Sequence, residues 1–169
     1  EKLGDKVEFD VQNAQGEETN CATIATKFVN SNVDLIMANA TQAVISSATA
    51  TSDIPIVGTS VTDYVTTGTV KSNDAPGGNV TGTSDLAPID QQVELLQKLV
   101  PDAKNVGILY CSAEANSVYQ AEQAQKYLEK AGITAKTYTA ADSNDIQQVV
   151  TKAADENDAI YIPTDNTIA

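Results

Sequence analysis

Histidine, arginine and tryptophan are all absent from this chain of 169 residues, and each absence removes a chemistry. Without imidazole there is no ordinary general base near neutral pH, no histidine metal ligand and no histidine pH switch, so Ser-His-Asp and Cys-His catalysis are excluded. Every one of the 10 basic residues is lysine, against 23 Asp plus Glu, for a net charge of −13. An anionic surface without guanidinium groups repels phosphate backbones, which excludes nucleic acid as a partner. Cysteine is down to two residues, Cys21 and Cys111, in no C-x-x-C spacing of a zinc or redox site. Cys21 falls on a helical stripe and Cys111 ends a strand, which argues against a disulfide between them. No apolar run approaches the roughly 18 to 20 residues that span a bilayer.

What is present is a globular composition, with 41% hydrophobic and 20% charged residues. Short apolar runs alternate with longer segments of helical period, the signature of βα units and parallel sheets. Val7–Val11 reads as a first strand. Cys21, Ile24, Ala25 and Phe28 at i, i+3, i+4, i+7 then put one apolar stripe on a helix from Glu17 to Asn30. Val33–Met37 reads as a strand, Thr41–Thr51 as a helix with Val44, Ile45 and Ala48 inward, and Ile54–Val57 as a strand weakened by Pro55. From Thr66 to Ser84 glycine, proline, Asn and Asp break any period, which predicts a crossover between two halves.

The second half repeats the pattern. Pro88 opens a helix carrying Ile89, Val93, Leu96 and Val100, stopped by Pro101. Strand Val106–Tyr110, helix Asn116–Ala131 closed by Gly132, and strand Ile133–Tyr138 follow. A helix capped by Ser143 carries Ile146, Val149, Val150 and Ala153, and Ala159–Ile162 is the last strand. Both halves read β-α-β-α-β, which predicts an α/β protein of two doubly wound parallel sheets: an amino-terminal lobe at 1–75, a crossover at 76–86 and a carboxy-terminal lobe at 87–169.

In such sheets ligands gather beyond the carboxyl ends of the strands. The loops there hold Asn39-Ala40-Thr41, Gly58-Thr59-Ser60-Val61-Thr62-Asp63, Cys111 to Ser117 and Pro163-Thr164-Asp165-Asn166-Thr167, rich in hydroxyls, amides and single carboxylates. Each polar residue there has a plainer role as a helix cap, although a helix start also offers free N–H groups to an anion. Gly77-Gly78-Asn79-Val80-Thr81-Gly82 follows no strand and lacks the lysine of a P-loop, so it implies no nucleotide cofactor. Asp63, Asp85, Glu114 and Asp165 are dispersed and form no metal-ligand motif.

The run Gly78-Asn79-Val80-Thr81-Gly82-Thr83-Ser84-Asp85 resembles the substrate-binding proteins of ABC transporters in the tryptophan/tyrosine-type family. So do Gly107-Ile108-Leu109-Tyr110 leading to Glu114-Ala115-Asn116-Ser117, the Pro163–Thr167 run, and Val61-Thr62-Asp63 after Ile56-Val57-Gly58. The resemblance implies a type I periplasmic-binding-protein fold, in which two flavodoxin-like lobes close over a small ligand, often an aromatic amino acid, and pass it to a membrane permease. It implies no enzymatic activity and no cofactor. It places the family's first strand and helix before Glu1 and the returning elements after Ala169, so that both lobes are incomplete. The secretion signal and lipid anchor, and with them an extracytoplasmic location, come from the resemblance alone.

For the ligand that the resemblance implies, the chemistry of these loops points to Thr41, Thr62, Asp63, Ser84, Asp85, Glu114, Asn116, Ser117, Asp165 and Asn166. A zwitterion needs donors for its carboxylate, for which Thr41, Ser84, Asn116 and Ser117 are the choices, and acceptors for its ammonium, for which Asp85 and Asp165 come before Glu114. A chain that lacks the strand between Val7–Val11 and Val33–Met37 must pair those two directly, exchange strands in a homodimer, or keep a separate piece of its parent protein. The rival readings are the effector domain of a transcription regulator, which shares the fold by analogy, and a hydrolase built on the carboxylates.

Overall fold

A computed structural model describes residues 4–168. Beyond a short 3-10 turn at Gly4–Lys6, the chain builds α1 (Glu18–Asn30), β1 (Ile36–Asn39), α2 (Thr41–Ala50), β2 (Ile56–Val61) and β3 (Val80–Ser84). It continues with α3 (Ile89–Leu99), β4 (Asn105–Cys111), α4 (Ala115–Lys130), β5 (Thr134–Ala140), α5 (Ile146–Glu156) and β6 (Ala159–Tyr161). Two three-stranded parallel sheets result, ordered β1-β2-β3 and β5-β4-β6. The second order places the first strand of its half between the next two, as a doubly wound sheet requires.

In the first sheet Ile36, Ile56 and Val80 stand side by side in register and are buried together with Val44 of α2. Side chains alternate across a strand, so Met37 falls on the opposite face, where it is 71% exposed. In the second sheet the central strand β4 is covered on both sides. Val106 and Ile108 pack with Ala121, Ala124 and Leu128 of α4, whereas Leu109 packs with Tyr138 and with Ala153 of α5. This explains why 106–110 reads as an uninterrupted apolar run.

Two expectations are corrected. Residues 7–11 are not a strand: Val7, Phe9 and Val11 are exposed, and the segment is tied to α1 by the exposed ion pair of Asp10 with Lys27 at 2.8 Å. A strand needs a neighbour for its N–H and C=O groups, and among the described residues no backbone hydrogen bond joins residues 7–11 to β1, whose outer edge stays open in the order β1-β2-β3. Residues 80–84, expected within the irregular crossover, form β3 and extend the first sheet. The chain leaves the first sheet at Ser84 and reaches the second through residues 85–88 and α3. Pro55 lies just before β2, where its missing N–H costs nothing and its carbonyl accepts from Ile36 N at 2.9 Å.

Helix capping also departs from expectation. Among the described residues none of the five α-helices carries a side-chain hydrogen bond at its N-cap, and α5 starts after Asp145 rather than at a Ser143 cap. Thr41 and Asn116 lie inside the first turns of α2 and α4 instead of capping them. Cys21 and Cys111 are both free thiols.

Candidate functional site

The carboxyl ends of β1 and β2 are built on backbone that few side chains tolerate. Ala40, at the turn into α2, has φ 80° and ψ 157°, and Ser60, in the bulge where the β2–β3 register shifts, has φ 55°. Such conformations cost about 1–3 kcal/mol each at residues other than glycine. They aim Thr41 and Thr62 inward, and both are buried. Ser84 donates from Oγ to the Thr62 carbonyl at 2.7 Å, and Asp85 N donates to the Val61 carbonyl at 2.9 Å, so both follow β3 against the end of β2. Asp63 accepts from Thr66 N at 2.6 Å and Thr66 Oγ1 at 2.7 Å on one oxygen, a capping role for the turn after it. The Asp85 side chain is exposed.

The second half gathers Glu114, Asn116, Ser117, Asp165 and Asn166. Glu114 Oε2 accepts from Asn116 Nδ2 at 3.2 Å, Asn166 N at 3.0 Å and Asn166 Nδ2 at 2.6 Å, while Oε1 accepts from Thr167 Oγ1 at 2.7 Å. Asn116 Nδ2 also reaches Ser117 Oγ and the Thr164 carbonyl, both at 3.2 Å. Asp165 is buried, with Oδ2 accepting from Cys111 N at 2.7 Å and Oδ1 from Thr167 N and Ile168 N at 2.9 and 2.8 Å. Three backbone donors satisfy this carboxylate and shape the loop after β6 around the end of β4.

The two clusters meet at a seam. A void of about 10 Å³ is lined by Thr41, Thr62, Asp63, Thr66 and Thr67 from the first half and by Ala115, Asn116 and Tyr119 from the second. Thr41, Thr62, Asp63 and Asn116 are thus brought together, whereas Ser84, Asp85, Glu114, Ser117, Asp165 and Asn166 stand behind or beside them. The seam as it stands is at the lower limit for one water molecule. Burial raises the Tyr119 phenol pKa, and the negative charge of Asp63 adds to that rise. A larger depression of about 560 Å³ runs along the polar side of α5, from Asn144 to Glu156, and includes no candidate residue. Among the described residues no three His, Cys, Asp or Glu side chains are grouped to hold a metal ion.

Three contributors went unmarked in the sequence reading. Gln120 is fully buried, its amide nitrogen donating to the Asn116 and Thr164 carbonyls at 3.2 and 3.1 Å and its oxygen accepting from Thr164 N at 3.3 Å. The signal was its place one turn after Asn116, on a helix side otherwise filled by Ala121, Ala124 and Leu128. Tyr119 and the Thr66-Thr67 pair gave no signal, because the turn that carries the threonines has no period.

Two parallel α/β units whose polar loops confront each other across a seam define a type I periplasmic binding protein fold. The chain belongs to the ABC transporter substrate-binding protein family, whose model matches residues 1–169. It is 40% identical over 167 residues to a tyrosine-binding protein of Clostridioides difficile strain R20291, covering 99% of this chain and 48% of that protein. It superposes with a TM-score of 0.93 on an ABC domain from Streptococcus pneumonia solved in complex with L-Trp, at 41% identity, covering 97% of this chain and 56% of the other. On a ligand-free, open substrate-binding protein with adhesive properties from Clostridium difficile, the TM-score is 0.64 at 37% identity, covering 96% and 55%. The chain therefore spans about half the length of the relatives it matches. Among the described residues no helix is long and apolar enough to cross a membrane.

Proposed function

We propose that the protein of which this chain forms part is the extracytoplasmic solute-binding component of an ABC importer, and that it binds an aromatic L-amino acid between two lobes hinged at residues 85–88. The observation that carries this reading is the seam, where Thr41, Thr62 and Asp63 at the carboxyl ends of β1 and β2 meet Asn116 at the start of α4. The tyrosine-binding and L-Trp-complexed relatives support the ligand class.

The ligand carboxylate falls to donors without formal charge. The first-turn N–H groups of α2, exposed to the seam by the turn at Ala40, join the Thr41 hydroxyl in this role, and the Asn116 amide, already given to Glu114, Ser117 and Thr164, stands behind them. Ser84 and Ser117 act behind them, since each already bonds within its own half. The ammonium falls to Asp85, whose side chain is exposed. Glu114 and Asp165 hold the loops in place, with Asn166 as the clasp. A ligand that contacts both halves stabilises the apposed arrangement, which the permease then receives.

Calorimetric titration of the full-length protein with L-amino acids, sugars and nucleosides tests this reading. Saturable binding of L-tyrosine or L-tryptophan is expected. Binding confined to sugars overturns the amino-acid assignment, and binding to no solute class overturns the whole reading.

A further inference from the structure

The second half meets the seam through one side of α4. Ala115, Asn116 and Tyr119 stand at i, i+1 and i+4, and Tyr119 is the aromatic among them. Across from it lie threonines 41, 62, 66 and 67, and α2 and α4 are in direct contact. The surface facing the small void is apolar, with threonine methyls on one side and the tyrosine ring on the other. Asp63 is held at one oxygen by Thr66, and its other oxygen accepts no hydrogen bond among the described residues. The phenol therefore stands as an unspent donor beside an unspent acceptor on the opposite half. Both halves together superpose far better on the L-Trp complex than on the ligand-free open relative, at nearly equal sequence identity, which is a difference in arrangement between those structures.

We propose that Tyr119 is the closing contact between the two halves, a positioning residue that holds α4 against the 62–67 loop and sets how long a ligand stays, without choosing which ligand enters. The inference rests on the solute-binding reading above. Contacts made only when the halves are together lower the free energy of the closed state alone. They slow opening, and so slow ligand release, while leaving encounter with the open protein unchanged.

The test is stopped-flow release of L-tyrosine and L-tryptophan from the full-length protein and its Tyr119 variants. Tyr119→Ala is expected to speed release of both ligands about tenfold, with association rate, thermal midpoint and the order of preference among amino acids unchanged. Tyr119→Phe, which keeps the ring and loses the hydroxyl beside Asp63, is expected to show a smaller acceleration. Should Tyr119→Ala fail to fold, Tyr119→Leu carries the same expectation. Unaltered release in these variants overturns the inference, as does a reordered preference, which would make Tyr119 part of the ligand pocket. Wild-type protein that binds neither amino acid overturns the functional reading instead.

Discussion

Glu114 and Asn166 are joined twice on a single oxygen: Glu114 Oε2 accepts from the Asn166 backbone N–H at 3.0 Å and from its side-chain amide at 2.6 Å. The other oxygen takes the Thr167 hydroxyl, so one carboxylate fastens the start of α4 to the loop after β6. Glu114→Gln keeps the shape but turns one acceptor into a donor facing Asn166 or Thr167. We expect a loss of about 0.5–1.5 kcal/mol in urea unfolding, the net worth of a hydrogen bond, because Asn166 is exposed and water takes over its donors. Unchanged stability would show that the clasp contributes nothing.

Asp165 and Asp85 are equivalent as ammonium ligands by residue type, and their surroundings separate them. Asp165→Asn removes an acceptor from a buried carboxylate that serves three backbone N–H groups, and is expected to lower stability by about 1–3 kcal/mol. Asp85→Asn is expected to leave the melting temperature alone and to weaken amino-acid binding by roughly 1.5–3 kcal/mol, the scale of a charge-assisted hydrogen bond. Calorimetry and thermal melts on both variants decide, and the reverse pattern would return the ammonium to Asp165.

Gly82 lies opposite Gly58 in the β2–β3 pairing, and the Tyr64 ring covers both. A Cβ at Gly82 would run into the Tyr64 hydroxyl and the Gly58 carbonyl, and the second of these is backbone. Gly82→Ala is therefore expected to destabilise by about 1–3 kcal/mol, as overpacking does. The tyrosine would also lose its hydrogen bond to the Thr83 carbonyl. A stable Gly82→Ala protein in denaturant titration would mean that β3 does not run so close to β2.

Tyr161 gives a pH dependence. Its hydroxyl donates to Gln92 Oε1 at 2.6 Å inside the core formed with α3 and α4, and burial pushes its pKa up from 10.0 to about 12. Because the folded value lies above the unfolded one, its contribution to stability is fully present below pH 10 and is lost as pH rises toward 12. Ultraviolet titration should show Tyr161 ionising last of the 6 tyrosines, a step absent from Tyr161→Phe. The wild type should also lose more stability than Tyr161→Phe between those pH values, and parallel curves would contradict the assignment.

Much of the fold was legible because periodicity is local. The stripe of Ile146, Val149, Val150 and Ala153 predicts a helix whichever element it packs on, and 146–156 is helical. The apolar run 106–110 predicts a strand, and β4 is one. The same reasoning failed at Val7–Val11, where alternation is present without a neighbour, and at Val80–Ser84, where turn-forming residues hide a strand that β2 makes possible. A strand is completed by hydrogen bonds to a partner, and no property of the segment alone says whether the partner is there.

By itself the sequence determined which chemistries are closed to this protein, because those depend on residue types: no imidazole, no guanidinium, and many separate carboxylates and hydroxyls at the ends of strands. It also determined that those polar groups come in two sets, since each βα unit carries its own loop. Only the tertiary structure decided what each carboxylate does. Glu114 and Asp165 look alike to Asp63 and Asp85 in sequence, yet besides local donors each takes one or more that arrive from about fifty residues away, the Cys111 N–H on Asp165 and Asn166 and Thr167 on Glu114. The strength of an acceptor is local chemistry, but its availability is set by which donors the folded chain brings to it.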